Sequence, residues 1–181
     1  MRIVDAQREV RTVYLGGFPG SIVSGTLWLA SSLAAARSGP GLARLILILG
    51  GMLIFPATMA LLRLMGRRAT LSKENPLGQL ATQIAFTIPA AIPLILGATR
   101  ANPDWFYPGF LIVVGAHYLP FVFLYGMPHY WALAAVLIGA GFALGMLGGG
   151  FAAGGWLGTA AFFVFAAVAW RSTAREAAAV A

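Results

Sequence analysis

The chain contains no cysteine. This excludes disulfides, thiolate metal sites and cysteine nucleophiles, and leaves the redox compartment open. Charge is also scarce: 9% of the 181 residues are Asp, Glu, Lys or Arg, where a soluble domain carries about a quarter. What charge there is falls almost wholly between six long apolar runs, and no stretch outside them is long enough for a second domain. Lipid penalises unpaired charge and favours uninterrupted apolar helix, so the pattern is that of a polytopic membrane protein with one all-α domain.

The spacing predicts a six-helix bundle with spans at about 13–36, 42–65, 76–98, 105–126, 130–147 and 151–170. The mixed-charge stretch from Met1 to Arg11 is expected to be a short interfacial segment and not a cleavable leader, since no clean small-x-small site follows it. Pro19 predicts a kink or a late helix start, and Asn75-Pro76 and Asn102-Pro103-Asp104 read as helix-opening turns. The third span is the most polar, with Gln79, Thr82, Gln83 and Thr87; Pro89 and Pro93 suggest that its outer half is irregular.

Net charge is +7. In a soluble protein this would suggest nucleic acid, but here the basic residues flank the apolar runs and form no face that could follow a phosphate backbone. They read as topology signals and anchors for anionic headgroups. With six spans, nine Lys and Arg lie on the side of both termini and three on the other. The positive-inside rule then puts both termini in the cytoplasm.

Small residues recur every four positions on three spans: Gly17, Ser21 and Gly25; Gly141 and Gly145; Gly154 and Gly158. Such faces let backbones approach closely. The expectation is tight pairing of the last two spans across Gly148–Gly150, with surface left for contacts between copies.

No Asp or Glu falls at membrane depth, which lowers the case for a driven carrier or a hydrolase that needs paired acids. No nucleophile-elbow pattern surrounds a serine. His117 and His129 are twelve residues apart, about 18 Å along a helix, too far to share a haem iron. No cofactor and no metal site are expected, and the balance leans away from an enzyme.

The fourth span carries what polar chemistry there is. Tyr107, Tyr118 and Tyr125 are spaced 11 and 7 residues apart and so fall within about 20° of one another on a helix, a stripe of phenols. His117 lies about 80° off that stripe near mid-span. An imidazole there needs a hydrogen-bond partner, and Gln83, Thr87 or a first-span serine such as Ser24 are candidates. Either His117, Tyr118, Gln83, Thr87 and Tyr125 line a polar pocket or narrow pore, or they are interhelical glue worth roughly 0.6 to 2 kcal/mol per contact.

Asn75-Pro76-Leu77, then Gly115-Ala116-His117-Tyr118-Leu119-Pro120-Phe121 with Leu124-Tyr125 and Tyr130, resembles a family of small bacterial inner-membrane proteins known only as a domain of unknown function. The resemblance covers roughly residues 15–145. It implies a bacterial inner-membrane protein and draws attention to His117, but brings no activity or substrate. The combined expectation is a non-enzymatic, channel-like or small-ligand-binding protein with a polar centre between the third and fourth spans. Its expected partners are the lipid bilayer and either further copies of itself or a larger membrane complex. The alternatives are an accessory subunit of a larger membrane complex and a binder of a hydrophobic molecule such as a quinone, carotenoid or lipid.

Overall fold

The computed structural model describes residues 1–178. Eight α-helices follow in order: α1 (Ile3–Tyr14), α2 (Phe18–Ser38), α3 (Pro40–Leu64), α4 (Leu77–Ala85), α5 (Thr87–Ala101), α6 (Phe106–Tyr125), α7 (His129–Leu147) and α8 (Ala153–Ala178). Short 3₁₀ turns at Leu15–Gly17 and Pro103–Trp105 lead into α2 and α6. There is no strand among the described residues.

Five segments are long and apolar enough to cross a membrane: Pro40–Leu64, Leu77–Ala101, Pro103–Tyr125, His129–Leu147 and Ala153–Arg175. The outward faces of the helices are apolar, as a bilayer requires: Leu45, Leu49, Leu53 and Phe55 on α3, Leu94 on α5, Phe142 and Met146 on α7, and Val164 on α8 are exposed. Helix α2 is not among the five. It carries Ser21, Ser24, Ser31 and Ser32, which dilute its hydropathy, yet all four are buried. The helix turns this serine face into the bundle and packs along α3 and α8, leaving Ile22, Thr26 and Ala30 exposed on its other side.

The first predicted span starts late. Chain direction changes at Leu15, Gly16 and Gly17, which all have positive φ, and Pro19 opens α2 within its first turn, where its missing donor costs nothing. The residues before the turn form a helix of their own, α1. It buries Ala6 and Val10 and lies across one end of the bundle. Gln7 Nε2 donates to Phe123 O at 2.6 Å and Arg11 Nη1 to Tyr125 O at 2.7 Å. These are carbonyls of the last turn of α6, which have no partner within their own helix.

The same end gathers residues 65–76. Glu9 accepts from the Ser72 backbone N–H at 2.6 Å, from Ser72 Oγ at 3.0 Å and from Asn75 Nδ2 at 2.8 Å. These donors, the Ser72 amide first, hold its carboxyl below the usual range. Asn75 Oδ1 accepts from Leu77 N at 2.9 Å and opens α4. At the opposite end Arg44 lies over the rings of Phe106 and Phe151, 5.7 and 5.3 Å from their centroids. There, Asn102 Oδ1 caps the turn into α6 through Asp104 N at 3.0 Å.

The glycine faces pack, but the last two spans do not chiefly pair with each other. Helix α7 lies mainly against α6, and α8 mainly against α2. A Cβ on Gly141 would come within 2.8 Å of Pro108 O and 3.0 Å of Ile112 N, both backbone atoms of α6. Gly145 faces the Trp105 ring, Gly154 faces Tyr107, and Gly158 faces the ring of Trp28 on α2. Gly25 meets Phe162 and Phe163 of α8, and Gly17 meets the Tyr130 hydroxyl. The turn Gly148–Gly150 sets the α7–α8 connection; the aromatic residues of α2 and α6 select which helices the glycines meet.

Candidate functional site

The third predicted span is two helices. Pro89 has no N–H for the Ala85 carbonyl one turn back and its ring crowds that turn, so α4 ends at Ala85 and α5 restarts at Thr87. The break lies near the middle of the span and not in its outer half, and Pro93 sits inside α5 without a second break. Pro120 likewise lies within a single helix, α6.

His117 stands at this joint. Its Nδ1 is 2.8 Å from Thr87 Oγ1, and the ring also meets the Ile84 carbonyl. Thr87 Oγ1 is in turn 2.8 Å from Ile84 O, a carbonyl of the last turn of α4 that also takes a backbone N–H at the break. A threonine hydroxyl has one proton to give. If that proton goes to Ile84 O, Thr87 can only accept from the imidazole. Nδ1 then carries the ring proton, and Nε2 presents a lone pair. This network, not a seen hydrogen, assigns the tautomer.

The other predicted lining residues separate from His117. Gln83 is exposed on the outer face of α4, beside Gln79 and Thr82, while the imidazole takes Thr87 as its side-chain hydrogen-bond partner. Tyr118 and Tyr125 turn inward. Ser24 lies beside Tyr118 and not beside His117, and the Tyr125 ring packs on Tyr130 with centroids 5.0 Å apart. Tyr130, which the sequence reading did not place in the site, donates its hydroxyl to Gly16 O at 3.0 Å. Further along the stripe, Ser31 Oγ donates to Ala43 O at 2.8 Å and meets the Tyr107 hydroxyl at 2.6 Å. With the serine proton spent on Ala43, Tyr107 is the donor. The stripe of phenols therefore answers the buried serines of α2.

Two polar zones result. One is the inner seam of α2 and α6, where tyrosines pair with serines inside an aromatic core of Trp28, Phe121, Phe162 and Phe165. The other is the α4–α5 joint, where His117 and Thr87 lie toward the bundle's outer wall. Phe121 joins them: its ring centroid is 5.1 Å from His117 and 4.9 Å from Tyr118. The signal that separates the zones was in the spacing, since His117 is set about 80° from the stripe.

His129 opens α7 and its Nε2 is 3.2 Å from Ser172 Oγ on α8. Among the described residues, no group of three or more His, Cys, Asp and Glu could hold a metal ion.

No curated protein and no solved structure matches the sequence. The chain does match one family over residues 3–172, and so belongs to a family of unknown function, DUF7010.

Proposed function

We propose that this is a non-enzymatic multi-pass protein of a bacterial inner membrane that holds a small, largely apolar molecule at the α4–α5 joint. The observation that carries the reading is the hydrogen-bonded His117–Thr87 pair at a broken membrane helix. Non-helical backbone at membrane depth is tolerated where something other than lipid satisfies it, and an intramembrane imidazole is a functional candidate by default. With Nε2 as acceptor, the matching group on the ligand is a hydroxyl or phenol. Exposed Phe86 and half-buried Phe121 flank the joint and suit an apolar body approaching from the bilayer. An aqueous pore through the bundle is the weaker form of the reading, because the aromatic core fills the seam beside the joint.

A second reading has its own observation. Gln79, Thr82 and Gln83 form a polar patch on the exposed face of α4. Amides facing lipid favour a polar partner, as in an accessory subunit or a homo-oligomer.

One experiment addresses both: mass spectrometry of protein purified in mild detergent, for wild type and His117→Ala. The expected result is a co-purifying small molecule whose occupancy falls about tenfold in the variant, the equivalent of one lost hydrogen bond, with helical content unchanged. Equal occupancy in the two proteins, or none in either, defeats the binding reading. A wild-type mass of two or more chains with no small molecule favours the second.

A further inference from the structure

At the end of the bundle that holds α1, a pocket opens between the start of α7 and the last turns of α8, lined by His129, Val168, Arg171, Ser172 and Arg175. We infer that it is a site for the phosphate of an anionic phospholipid headgroup.

The chemistry of the lining points to an anion. Arg171 and Arg175 are one turn apart on α8 and share a face. The only ion pairs among the described residues are those of Asp5 with Arg2 and Arg8, so no described carboxylate neutralises either arginine. Ser172 and the imidazole of His129 add hydrogen-bonding groups from two helices, held together at 3.2 Å. His129 is also the first residue of α7, whose N-terminus has no side-chain cap. The Tyr130 and Trp131 amides are taken by Met127 O and Pro128 O, so what this helix start adds is the positive end of its dipole. Two guanidinium groups, a hydroxyl and an imidazole thus converge on one cavity, a set suited to phosphate oxygens.

Its position points to a lipid as the source of that phosphate. Val168 forms one wall and is exposed on the apolar face of α8, one turn below Arg171. Trp131 and Trp170, which are 57% and 54% exposed, lie within a few residues of the pocket on the same two helices. Exposed tryptophans at helix ends mark the level of the headgroups. The pocket therefore has a cationic rim at headgroup level and an apolar wall toward the acyl chains, the polarity of a phospholipid.

The test is native mass spectrometry of the detergent-solubilised full chain with added phosphatidylglycerol. Phosphatidylcholine of the same acyl chains and inorganic phosphate serve as separate probes. Arg171→Gln/Arg175→Gln is compared with Arg67→Gln/Arg68→Gln, which removes equal charge from the loop at the same end. The expected result is retention of phosphatidylglycerol over phosphatidylcholine, reduced about tenfold in the first variant and unchanged in the second. Equal retention of both lipids, or equal loss in both variants, overturns the site. Displacement of phosphatidylglycerol by millimolar inorganic phosphate overturns the lipid assignment and makes the pocket one for a soluble phosphate.

Discussion

At the scale of single residues, glycine divides into two kinds in this chain. Gly141 is held against the backbone of α6, with Pro108 O and Ile112 N at 2.8 and 3.0 Å from where a Cβ would stand. Gly139, one turn-half earlier on the same helix, has nothing within 4 Å. Backbone cannot rotate aside as a side chain can, so Gly141→Ala is expected to destabilise by about 1–3 kcal/mol, the range for overpacking. Gly139→Ala is expected to be neutral or to gain up to about 1 kcal/mol from helix propensity. Unfolding in mixed detergent micelles, followed by circular dichroism, measures both. Equal effects would mean that α6 and α7 are not in close contact. The four-residue spacing was enough to mark Gly141 as a packing residue. It could not name the partner, because any smooth helix face accepts any neighbour. The large residues opposite decide the pairing: Trp28 fills the space at Gly158, Tyr107 at Gly154 and Trp105 at Gly145.

At the scale of elements, α1 behaves as a strap. Its Arg11 and Gln7 satisfy carbonyls at the end of α6, while Glu9 ties it to residues 72 and 75. The Glu9 carboxyl is held below its usual range by these donors. A group depressed in the folded state contributes stability above its unfolded pKa and loses that contribution as pH falls through the folded value. The strap is therefore expected to hold at neutral pH and to loosen below about pH 4, the ordinary carboxylate range. Hydrogen exchange of residues 3–14 should rise there, and Glu9→Gln should show the raised exchange already at pH 7. Unchanged exchange in the variant would assign the docking to the buried Ala6 and Val10 and to the Gln7 and Arg11 hydrogen bonds. The sequence reading placed an interfacial segment here but not its partners, since those lie 60 to 120 residues away. The broken span shows a similar limit. Pro89 and Pro93 look alike in sequence, yet only the first ends a helix. At the break before Pro89, Thr87 bonds Ile84 O and also meets His117, which comes from a different helix. Hence His117 and Thr87 were both legible as candidates, while Gln83, one turn before Thr87, turns outward on the other side of the break.

At the scale of the whole molecule, the open quantity is whether α2 makes a sixth crossing. Composition alone undercounts it, because serine scores as polar wherever it stands. Inside the bundle that score misleads: Ser31 is satisfied by Ala43 O and Tyr107, and Ser32 Oγ by Trp28 O at 2.7 Å. A hydroxyl with its hydrogen bonds made is far cheaper to bury than one without. Geometry also favours a crossing. Asn75 Nδ2 is 3.1 Å from Ala6 O, so the chain leaves α1, runs out along α2, returns along α3 and arrives where it began. If α3 crosses, α2 crosses the same thickness in the opposite direction. Because the native chain has no cysteine, single introduced thiols report sidedness without background. Ile3→Cys, Thr70→Cys and Ala174→Cys, all at exposed positions at one end, are expected to react from the cytoplasmic side only. Ser38→Cys, exposed at the other end, should react with a membrane-impermeant maleimide added outside intact spheroplasts. The excess of Lys and Arg at the first end predicts that sidedness. Labelling of Ile3→Cys and Ser38→Cys from the same side would leave α2 as a helix that never crosses, and would reduce the bundle to the five spans that hydropathy alone supports.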